Sequence, residues 1–252
     1  MKEDILYTVE AEKKWILSLG GGVNTTALMI YLVKNKLPVD EAVFADVGGE
    51  LPETYTNLKI AKRYLDKHGI SLKVINVSVA GTGLYECGIR RHVIPSQVWR
   101  WCTRDFKVKP IYRYYRSLNV HVNQYLGIDY GEFHRMKDSM VDYVTNIYPL
   151  VDAKINREGC VDIIKEEGLP VPVKSGCYFC PFNSHDRWKY VLEKHPQLYN
   201  KAIALEENSK HFPKQKLNSI RLRELETMLT DPKRSIPEDH NELNICGGHC
   251  ML

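Results

Sequence analysis

The chain has 252 residues, of which 44% are hydrophobic and 26% are charged, with a formal net charge of +4 at pH 7. These values are typical of a globular protein with one large domain, or with a core domain and a smaller appendage. The charge is too small to indicate nucleic-acid binding by itself. No apolar run of about 18 residues predicts a membrane span.

The first residues, Met1 to Asp4, are charged and carry no apolar signal-peptide core. We therefore expect a cytoplasmic protein. In that reducing compartment the seven cysteines are expected to be free thiols or metal ligands rather than disulfides.

Strands and helices alternate along the first part of the chain. Strands are predicted at 15–19, 41–47, 71–77 and 122–128, and helices at 25–36, 53–68 and 106–117. The stretch 79–93 lacks periodicity and predicts a loop over the site. Such alternation predicts an α/β fold with a doubly wound, mostly parallel sheet.

The character of the chain changes after about residue 148, where helical patterns dominate. Helices are predicted at 157–167, 186–209 and 219–229, and a Cys-x-x-Cys turn separates the first two. We therefore expect an α/β domain over residues 1–150 and a smaller helical C-terminal region over residues 151–252 that carries this turn.

A glycine loop (residues 18–26) lies at the first predicted strand-to-helix junction. Its three consecutive glycines let backbone amides approach phosphate oxygens at a helix N-terminus, and Ser18, Thr25 and Thr26 add hydroxyl donors. The glycine spacing fits neither the Walker A loop nor the Rossmann fingerprint. A nucleotide site is the prediction, and a simple tight turn is the alternative.

Two acidic residues follow the second predicted strand. Asp46 and Glu50 are expected at the carboxyl edge of the sheet, where ligands bind in such folds. Either is a candidate for holding a magnesium ion or a ribose, and a solvated loop acid is the alternative.

Three cysteines have the setting of metal ligands. Cys102 lies within a basic stretch, and Cys177 and Cys180 form a cysteine turn (residues 175–182) between a glycine and a proline. Thiolates are soft ligands, and two of them separated by two residues can hold one metal centre from one turn. An iron–sulfur cluster, a structural zinc ion and plain buried cysteines all remain open on this pattern.

A basic segment (residues 90–116) carries eight Arg and Lys residues and one acid, Asp105. Aromatic residues are interleaved: Trp99, Trp101, Tyr112, Tyr114 and Tyr115. Such a patch suits nucleotide phosphates or an RNA backbone with stacked bases. The alternative is a solvated helix face.

The glycine loop resembles the PP-loop of the adenine nucleotide alpha-hydrolase-like superfamily. The segments 44–54, 100–110, 127–135 and 149–152 are similar, in this order, to motifs of its phosphoadenosine phosphosulfate (PAPS) reductase branch. The resemblance spans roughly residues 14–190 and implies a PP-loop α/β fold. It places a nucleotide on Ser18, Gly20, Gly21, Gly22, Asn24 and Thr25, with Asp46, Gly127 and Arg135 nearby.

Two positions of the loop depart from the superfamily pattern. Val23 stands at the usual lysine and Asn24 at the usual aspartate. The missing lysine weakens the case for simple ATP pyrophosphate cleavage, and an arginine of the basic segment is a candidate for replacing its charge.

The resemblance also implies a [4Fe-4S] cluster held by Cys102, Cys177 and Cys180, with zinc as the alternative. The fourth iron is either open, in which case it can bind sulfide, or held by another thiolate, for which Cys246, Cys250 and Cys160 are the candidates. Cys246 also begins a Cys-Gly-Gly-His segment similar to the reductase tail whose cysteine attacks sulfur, and Cys87 is a further thiol.

These features predict an enzyme that transfers sulfur with the help of ATP, by adenylating and thiolating an acceptor. The acceptor is expected to be a nucleic acid such as tRNA, bound by the basic segment. The alternative is a sulfonucleotide reductase in which Cys246 attacks the substrate and thioredoxin resolves the product. A nucleotide or redox sensor is a third hypothesis. Cys246 and Asp46 are the predicted catalytic residues.

Overall fold

The computed structural model describes residues 12–78, 81–209, 216–231 and 234. Its strands are β1 (Lys13–Ser18), β2 (Glu41–Asp46), β3 (Ser71–Asn76), β4 (His121–Tyr125) and β5 (Val144–Ile147). They form one sheet in the order β3-β2-β1-β4-β5, and every neighbouring pair is parallel. In register, Ile16 of the central strand pairs with Glu41 on one side and Gln124 on the other.

Helices cover both faces of this sheet and form the C-terminal region. They are α1 (Val23–Lys34), α2 (Pro52–Lys67), α3 (Leu84–Arg91), α4 (Trp101–Thr103), α5 (Lys109–Ser117), α6 (Pro149–Asp152), α7 (Arg157–Glu166), α8 (His185–Lys194), α9 (Pro196–Glu207) and α10 (Leu222–Thr230). A π-helical segment (Arg104–Val108) joins α4 to α5, and a 3-10 turn (Tyr130–Arg135) follows β4.

The period-2 alternation of the central strands divides the core between the two faces. Ile16 and Val43 pack into one cluster with α3, α5 and the C-terminal helices, whereas Leu17 and Ala42 pack into a second cluster with α1, α2 and α7. Successive side chains of a strand point to opposite faces, so a sheet buried on both sides needs apolar residues at consecutive positions. The predicted doubly wound α/β fold is thereby confirmed.

Three predicted elements were wrong in detail. The stretch 79–93 was predicted as a loop, but it contains α3, in which Gly88 fits tightly because a Cβ there would lie 2.9 Å from Leu205 Cδ1. The predicted helix 186–209 is two helices, since Pro196 cannot continue a helix and His195 before it is non-helical. The predicted helix 106–117 is wrong at its start, because residues 106–108 belong to the π-helical segment and α5 begins at Lys109. In addition, strand β5 was not predicted.

The C-terminal helices pack onto the α/β core. On α7, Cys160 and Ile164 lie in the same core cluster as α1, while Trp188 of α8 and Tyr199 of α9 belong to the opposite cluster. Buried Glu206 accepts hydrogen bonds from two backbone amides, those of Leu217 and of Leu222, the first residue of α10. The division at residues 150 and 151 stays a prediction. In the described part of the chain, no helix has the length and apolar character needed to cross a membrane.

Candidate nucleotide and metal site

The glycine loop connects β1 to α1 at the centre of the sheet. Gly21 has a φ of 69°, a left-handed conformation that favours glycine. No side chain caps the N-terminus of α1, where Gly22 is the N-cap, and the hydroxyls of Thr25 and Thr26 both donate to the Gly22 carbonyl at 3.1 and 2.9 Å. The first backbone amides of α1 are therefore available to an anion.

The loop lies at the topological switch point of the sheet, between β1 and its neighbour β4. The chain leaves β4 through Gly127, which packs directly against α1: a Cβ on Gly127 would lie 2.7 Å from Thr25 Cγ2 and 2.9 Å from Thr25 N. In open α/β sheets the crevice at such a switch point is the usual ligand site. Gly127 thus lies beside the loop, where the resemblance expects it.

A buried hydrogen-bond network surrounds Asn24. Its Nδ2 donates to Asp129 Oδ2 at 2.8 Å and to Glu132 Oε2 at 3.2 Å, and its Oδ1 accepts from Arg157 Nη1 at 2.7 Å. Glu132 in turn accepts from Arg135. Asn24 therefore joins the start of α1 to the turn after β4 and to the start of α7.

The N-terminus of α2 approaches the same loop from another side. A Cβ on Gly21 would lie 3.2 Å from Thr54 Cγ2, and Asn57 Nδ2 donates to the Gly21 carbonyl at 3.4 Å. Among the described residues, the buried Thr54 hydroxyl and the buried Arg135 Nε have no hydrogen-bond partner. Unpaired buried donors are costly. The Thr54 hydroxyl, on a side chain that packs on Gly21, is therefore consistent with an anionic ligand at the loop.

The cysteine turn is attached to the segment between β2 and α2. Leu51 N donates to the Gly176 carbonyl at 3.2 Å, and Tyr178 N donates to the Gly49 carbonyl at 3.0 Å, around an antiparallel bridge between Glu50 and Cys177. Gly49 leaves room for this contact, since a Cβ there would lie 2.8 Å from Phe179 Cε1.

The cysteine turn also touches the glycine loop directly. A Cβ on Gly22 would lie 2.8 Å from Ser175 Oγ, two residues before Cys177. The turn and the loop are far apart in the chain but adjacent in space. The fold therefore brings the predicted metal ligands of the turn next to the predicted phosphate site.

The three cysteines predicted as metal ligands lie in one electrostatic environment. Cys177 is buried in the core, and Cys102 and Cys180 pack against that cluster. Cys102 and Cys180 both raise the pKa of Cys177, and Cys102 raises that of Cys180. Burial raises the pKa of Cys102 and raises that of Cys180 to about 11. Burial, and next the Glu50 carboxylate, raise the pKa of Cys177 well above its usual range.

A partly buried ion pair adjoins these thiols. Lys107 Nζ, from the π-helical segment, lies 3.1 Å from Glu50 Oε1, and the same oxygen lies 3.7 Å from Cys177 Sγ. Burial lowers the pKa of Lys107, but the Glu50 carboxylate and the neighbouring thiolates outweigh it, so the pKa lies above its usual value. Lys107 is therefore a permanent cation beside the thiols, and the guanidinium of Arg100 also interacts with Cys102 and Cys180.

The other predicted site residues do not join these three cysteines within the described part of the chain. Asp46 accepts hydrogen bonds from Gly48 N and from Tyr55 Oη, both at 2.8 Å, at the carboxyl end of β2. Cys160 is buried in the core cluster of α1 and α7, away from the cluster that holds Cys177, and Cys87 is buried in α3. Cys246 and Cys250 lie outside the described residues.

Glu50 is not a solvated loop acid, because it is buried and paired with Lys107. Over the described ranges, no group of three or more His, Cys, Asp and Glu side chains is arranged to hold a single metal ion. The donor set nevertheless fits an iron–sulfur cluster, whose irons are typically held by cysteine thiolates. The thiols also interact electrostatically with two cations, Lys107 and Arg100.

The basic segment is only partly a surface. Trp101, Tyr112 and Tyr115 are buried in the core, so these three aromatic rings cannot stack on bases as the interleaved pattern suggested. Trp99 is 43% exposed. The helical period explains why these rings are buried: residues three apart, such as Tyr112 and Tyr115, lie on the same face of α5, and that face packs on the sheet.

Residues 14–153 match the model of the phosphoadenosine phosphosulfate reductase domain. The match covers more than half of the chain. The protein belongs to the PAPS reductase domain family. The matched range includes the glycine loop, Asp46, Cys102, Gly127 and Arg135, and it ends before the cysteine turn.

Two proteins of Methanocaldococcus jannaschii are similar to this family member in sequence. Uncharacterized protein MJ0973 is 23% identical over 201 residues, which cover 74% of this chain and 46% of that protein. Uncharacterized protein MJ0066 is 22% identical over 214 residues, which cover 78% and 42%. The chain thus spans less than half the length of these relatives.

Two solved structures are similar in fold. PAPS reductase from Candida auris, in a phosphate complex, is 17% identical with a TM-score of 0.43, and the match covers 64% of this chain and 74% of that one. The U34-tRNA thiolase NcsA from Methanococcus maripaludis, with its [4Fe-4S] cluster, is 15% identical with a TM-score of 0.49, covering 94% and 80%. Both scores are below 0.5, so the family assignment depends on the sequence match.

Sequence reasoning missed two residues beside the glycine loop. In the sequence, Thr54 is only the last residue of the family-like segment 44–54, and Arg157 is only the first residue of a predicted helix. Neither has a local sequence signal that indicates its neighbours, since Thr54 meets Gly21 and Arg157 meets Asn24 through the tertiary fold.

Proposed function

We propose that this protein is a nucleotide-dependent iron–sulfur enzyme that uses ATP to activate an acceptor for sulfur transfer. The proposal depends chiefly on the contact between the cysteine turn and the glycine loop, where Ser175 lies against Gly22 and Cys177 bridges to Glu50. A nucleotide on the loop and a metal centre on the turn would be close enough to serve one reaction.

The nucleotide is bound by its phosphates in this proposal. The uncapped N-terminus of α1 offers backbone amides and the positive end of the helix dipole. The unpaired Thr54 hydroxyl and Arg135 Nε gain partners when an anion arrives. Asp46, fixed by Tyr55, stands at the same edge of the sheet and is the candidate for a ribose hydroxyl or a magnesium ion.

Cys102, Cys177 and Cys180 would hold the [4Fe-4S] cluster, with zinc as the alternative. Three thiolates carry three negative charges into a buried site, which is unfavourable without compensation. Lys107 and Arg100 provide that compensation, because both interact with these thiols. When bound, the cluster would supply an iron that takes up sulfide.

The reaction proposed is adenylation followed by thiolation. An acceptor oxygen attacks the α-phosphorus of ATP, the α–β phosphoanhydride bond breaks, and pyrophosphate leaves. A sulfide sulfur then attacks the activated carbon of the acceptor, the carbon–oxygen bond breaks, and AMP leaves. The protein residues bind the polyphosphate, orient the α-phosphorus at the start of α1 and exclude water from the buried thiols.

The acceptor is proposed to be a nucleic acid such as tRNA. The basic segment remains the candidate for the phosphate backbone, although three of its aromatic side chains are in the core. Three exposed rings can stack on bases. Trp99 lies in the basic segment, and Tyr130 and Phe133 lie beside the Asn24 network. The ring centroids of Tyr130 and Phe133 are 6.2 Å apart.

The second candidate is a sulfonucleotide reductase. Val23 favours the reductase, because it stands where the superfamily usually has the lysine that neutralises the β- and γ-phosphates of ATP. The Val23 side chain is buried in the core. In that reaction the Cys246 thiolate attacks the sulfate sulfur, forms a thiosulfonate and releases the nucleotide, and thioredoxin then frees sulfite. A nucleotide or redox sensor without turnover is the third candidate.

Iron analysis tests the metal site. We expect anaerobically purified protein to hold iron and sulfide, and Cys177→Ala to lose both. Cys160→Ala is the matched control, because Cys160 is also buried but lies in the other core cluster. Stoichiometric zinc without iron would reject the cluster, and equal losses in both variants would reject this ligand assignment.

Substrate analysis separates the chemistries. Anaerobic calorimetry with ATP, adenylyl sulfate and PAPS measures which nucleotide binds, and AMP with pyrophosphate is the product pair expected in the presence of an acceptor RNA. Mass spectrometry after incubation with either sulfonucleotide detects a Cys246 adduct. An adduct with sulfite released by thioredoxin would refute sulfur transfer and establish the reductase, whereas binding without turnover would indicate a sensor.

A further inference from the structure

The glycine loop lacks a cation at the position where its superfamily usually has lysine. Val23 is buried among the apolar residues around α1, so the side chain at this position offers no positive charge to a ligand. The basic segment does not supply the side chain that contacts Asn24, the next residue. The contact comes instead from Arg157, at the first position of α7.

Arg157 has the geometry of a cation held ready at the loop. Its Nη1 donates to Asn24 Oδ1 at 2.7 Å, and this is the hydrogen bond that the guanidinium makes within the described ranges of the chain. The residue is otherwise exposed, although Asn24 is buried. Because a guanidinium has five N–H donors, four remain for a ligand while Asn24 fixes the direction of the group.

The position of Arg157 runs against the local preference of its helix. A cation at a helix N-terminus faces the positive end of the dipole, so this placement is unfavourable for α7 by itself. Arg135 and Arg157 equal Asp129 and Glu132 in number, so the network is formally neutral. Arg135 pairs with Glu132, whereas the Arg157 guanidinium bonds to the Asn24 amide. Residues that violate a local rule are often found at functional sites.

We propose that Arg157 supplies the phosphate-binding charge that Val23 omits and thereby makes the site prefer a nucleotide polyphosphate over a nucleoside monophosphate. The inference rests on the proposed function, in which the glycine loop binds a nucleotide. Arg157 begins α7, and its hydrogen bond to Asn24 holds it beside the amides at the start of α1. A polyphosphate reaching beyond those amides meets the guanidinium, whereas the single phosphate of AMP is satisfied by the amides.

Calorimetry with ATP and AMP on the full chain tests this assignment. A charged hydrogen bond to phosphate corresponds to an affinity change of about tenfold or more, so Arg157→Ala should weaken ATP binding by at least about tenfold and AMP binding by less than about twofold. Arg157→Lys should lose less ATP affinity than Arg157→Ala. Lys165→Ala, which removes a cation from the last turn of the same helix, is the matched control and should leave both affinities unchanged.

The possible outcomes separate the inference from the proposed function. Failure of the unaltered protein to bind ATP would refute nucleotide binding and with it this inference. ATP affinity within twofold of the unaltered protein in Arg157→Ala would refute the role of Arg157 alone. Equal weakening of ATP and AMP would also refute it, because that result indicates that Arg157 only supports Asn24. Thermal unfolding of each variant confirms that the comparison is made on folded protein.

Discussion

Replacement of Gly127 by alanine probes the crevice between β1 and β4. The added Cβ would lie 2.7 Å from Thr25 Cγ2, 2.9 Å from Thr25 N and 3.0 Å from Thr25 Cα. Two of these three atoms belong to the backbone of α1, so a side-chain rotation cannot relieve the contact. The start of α1 and the turn after β4 must move apart.

The expected magnitude follows from the cost of overpacking a tight interior. Inserting a methyl group that forces a backbone shift destabilises a protein by about 1–3 kcal/mol. In a chain of this size, each kcal/mol corresponds to a shift of roughly 2–4 °C in the unfolding midpoint, so we expect a midpoint lowered by about 2–12 °C. Nucleotide affinity should fall as well, because the displaced backbone is the N-terminal turn that we propose binds phosphate.

Gly20→Ala is the control within the same loop. A Cβ on Gly20 would lie 3.7 Å from Thr25 Cγ2, an ordinary contact, so the free energy of unfolding of Gly20→Ala should stay within about 0.5 kcal/mol of that of the unaltered protein. Thermal unfolding followed by circular dichroism, with calorimetric titration of ATP, measures both variants. An unshifted midpoint for Gly127→Ala, or an equal shift for Gly20→Ala, would refute the packing argument.

Two further substitutions test contacts around the site. Lys107→Met should destabilise the protein by about 3–5 kcal/mol in urea unfolding, because it leaves the buried Glu50 carboxylate unpaired; a change below 1 kcal/mol would contradict this. Burial raises the pKa of Glu53, but hydrogen bonds from Tyr190 and His195 outweigh it and hold this pKa below 4.5. The ionised Glu53 carboxylate therefore stabilises the folded protein above pH 4.5, and this stabilisation is lost as pH falls through the lowered pKa. We expect the difference in urea midpoint between the unaltered protein and Glu53→Gln to shrink below pH 4.5. A difference that stays constant with pH would disprove this.

The fold was largely predictable because its signals are local. Apolar runs bounded by glycine and polar residues located β1 to β4, and amphipathic periodicity located α1, α2 and α7. Strand β5 was not predictable in this way, because two of its four residues, Thr145 and Asn146, are polar and its pairing with β4 defines it. Helix α3 was obscured by Gly88, which is present for close packing rather than for a turn.

The site was predictable only where a motif is contiguous. The glycine loop and the cysteine turn could each be recognised from a few neighbouring residues. The partners that complete them are separated by 57 residues for Lys107 and Glu50 and by 133 residues for Arg157 and Asn24. Such pairs have no local pattern, so the sequence could not indicate that Arg157 of α7 contacts Asn24. The basic segment as the source of the missing charge stays a prediction.

The geometry of the site also suggests why a nucleotide and a metal centre would affect each other. Residues 49–51 bind the cysteine turn through backbone hydrogen bonds, and they lead directly into α2, whose Thr54 packs on Gly21. On the other side, Ser175 of the turn packs on Gly22. A ligand that shifts the glycine loop therefore acts on both attachments of Cys177. Since binding free energies are reciprocal, a metal centre that fixes the turn must change nucleotide affinity by the same factor as the nucleotide changes metal affinity.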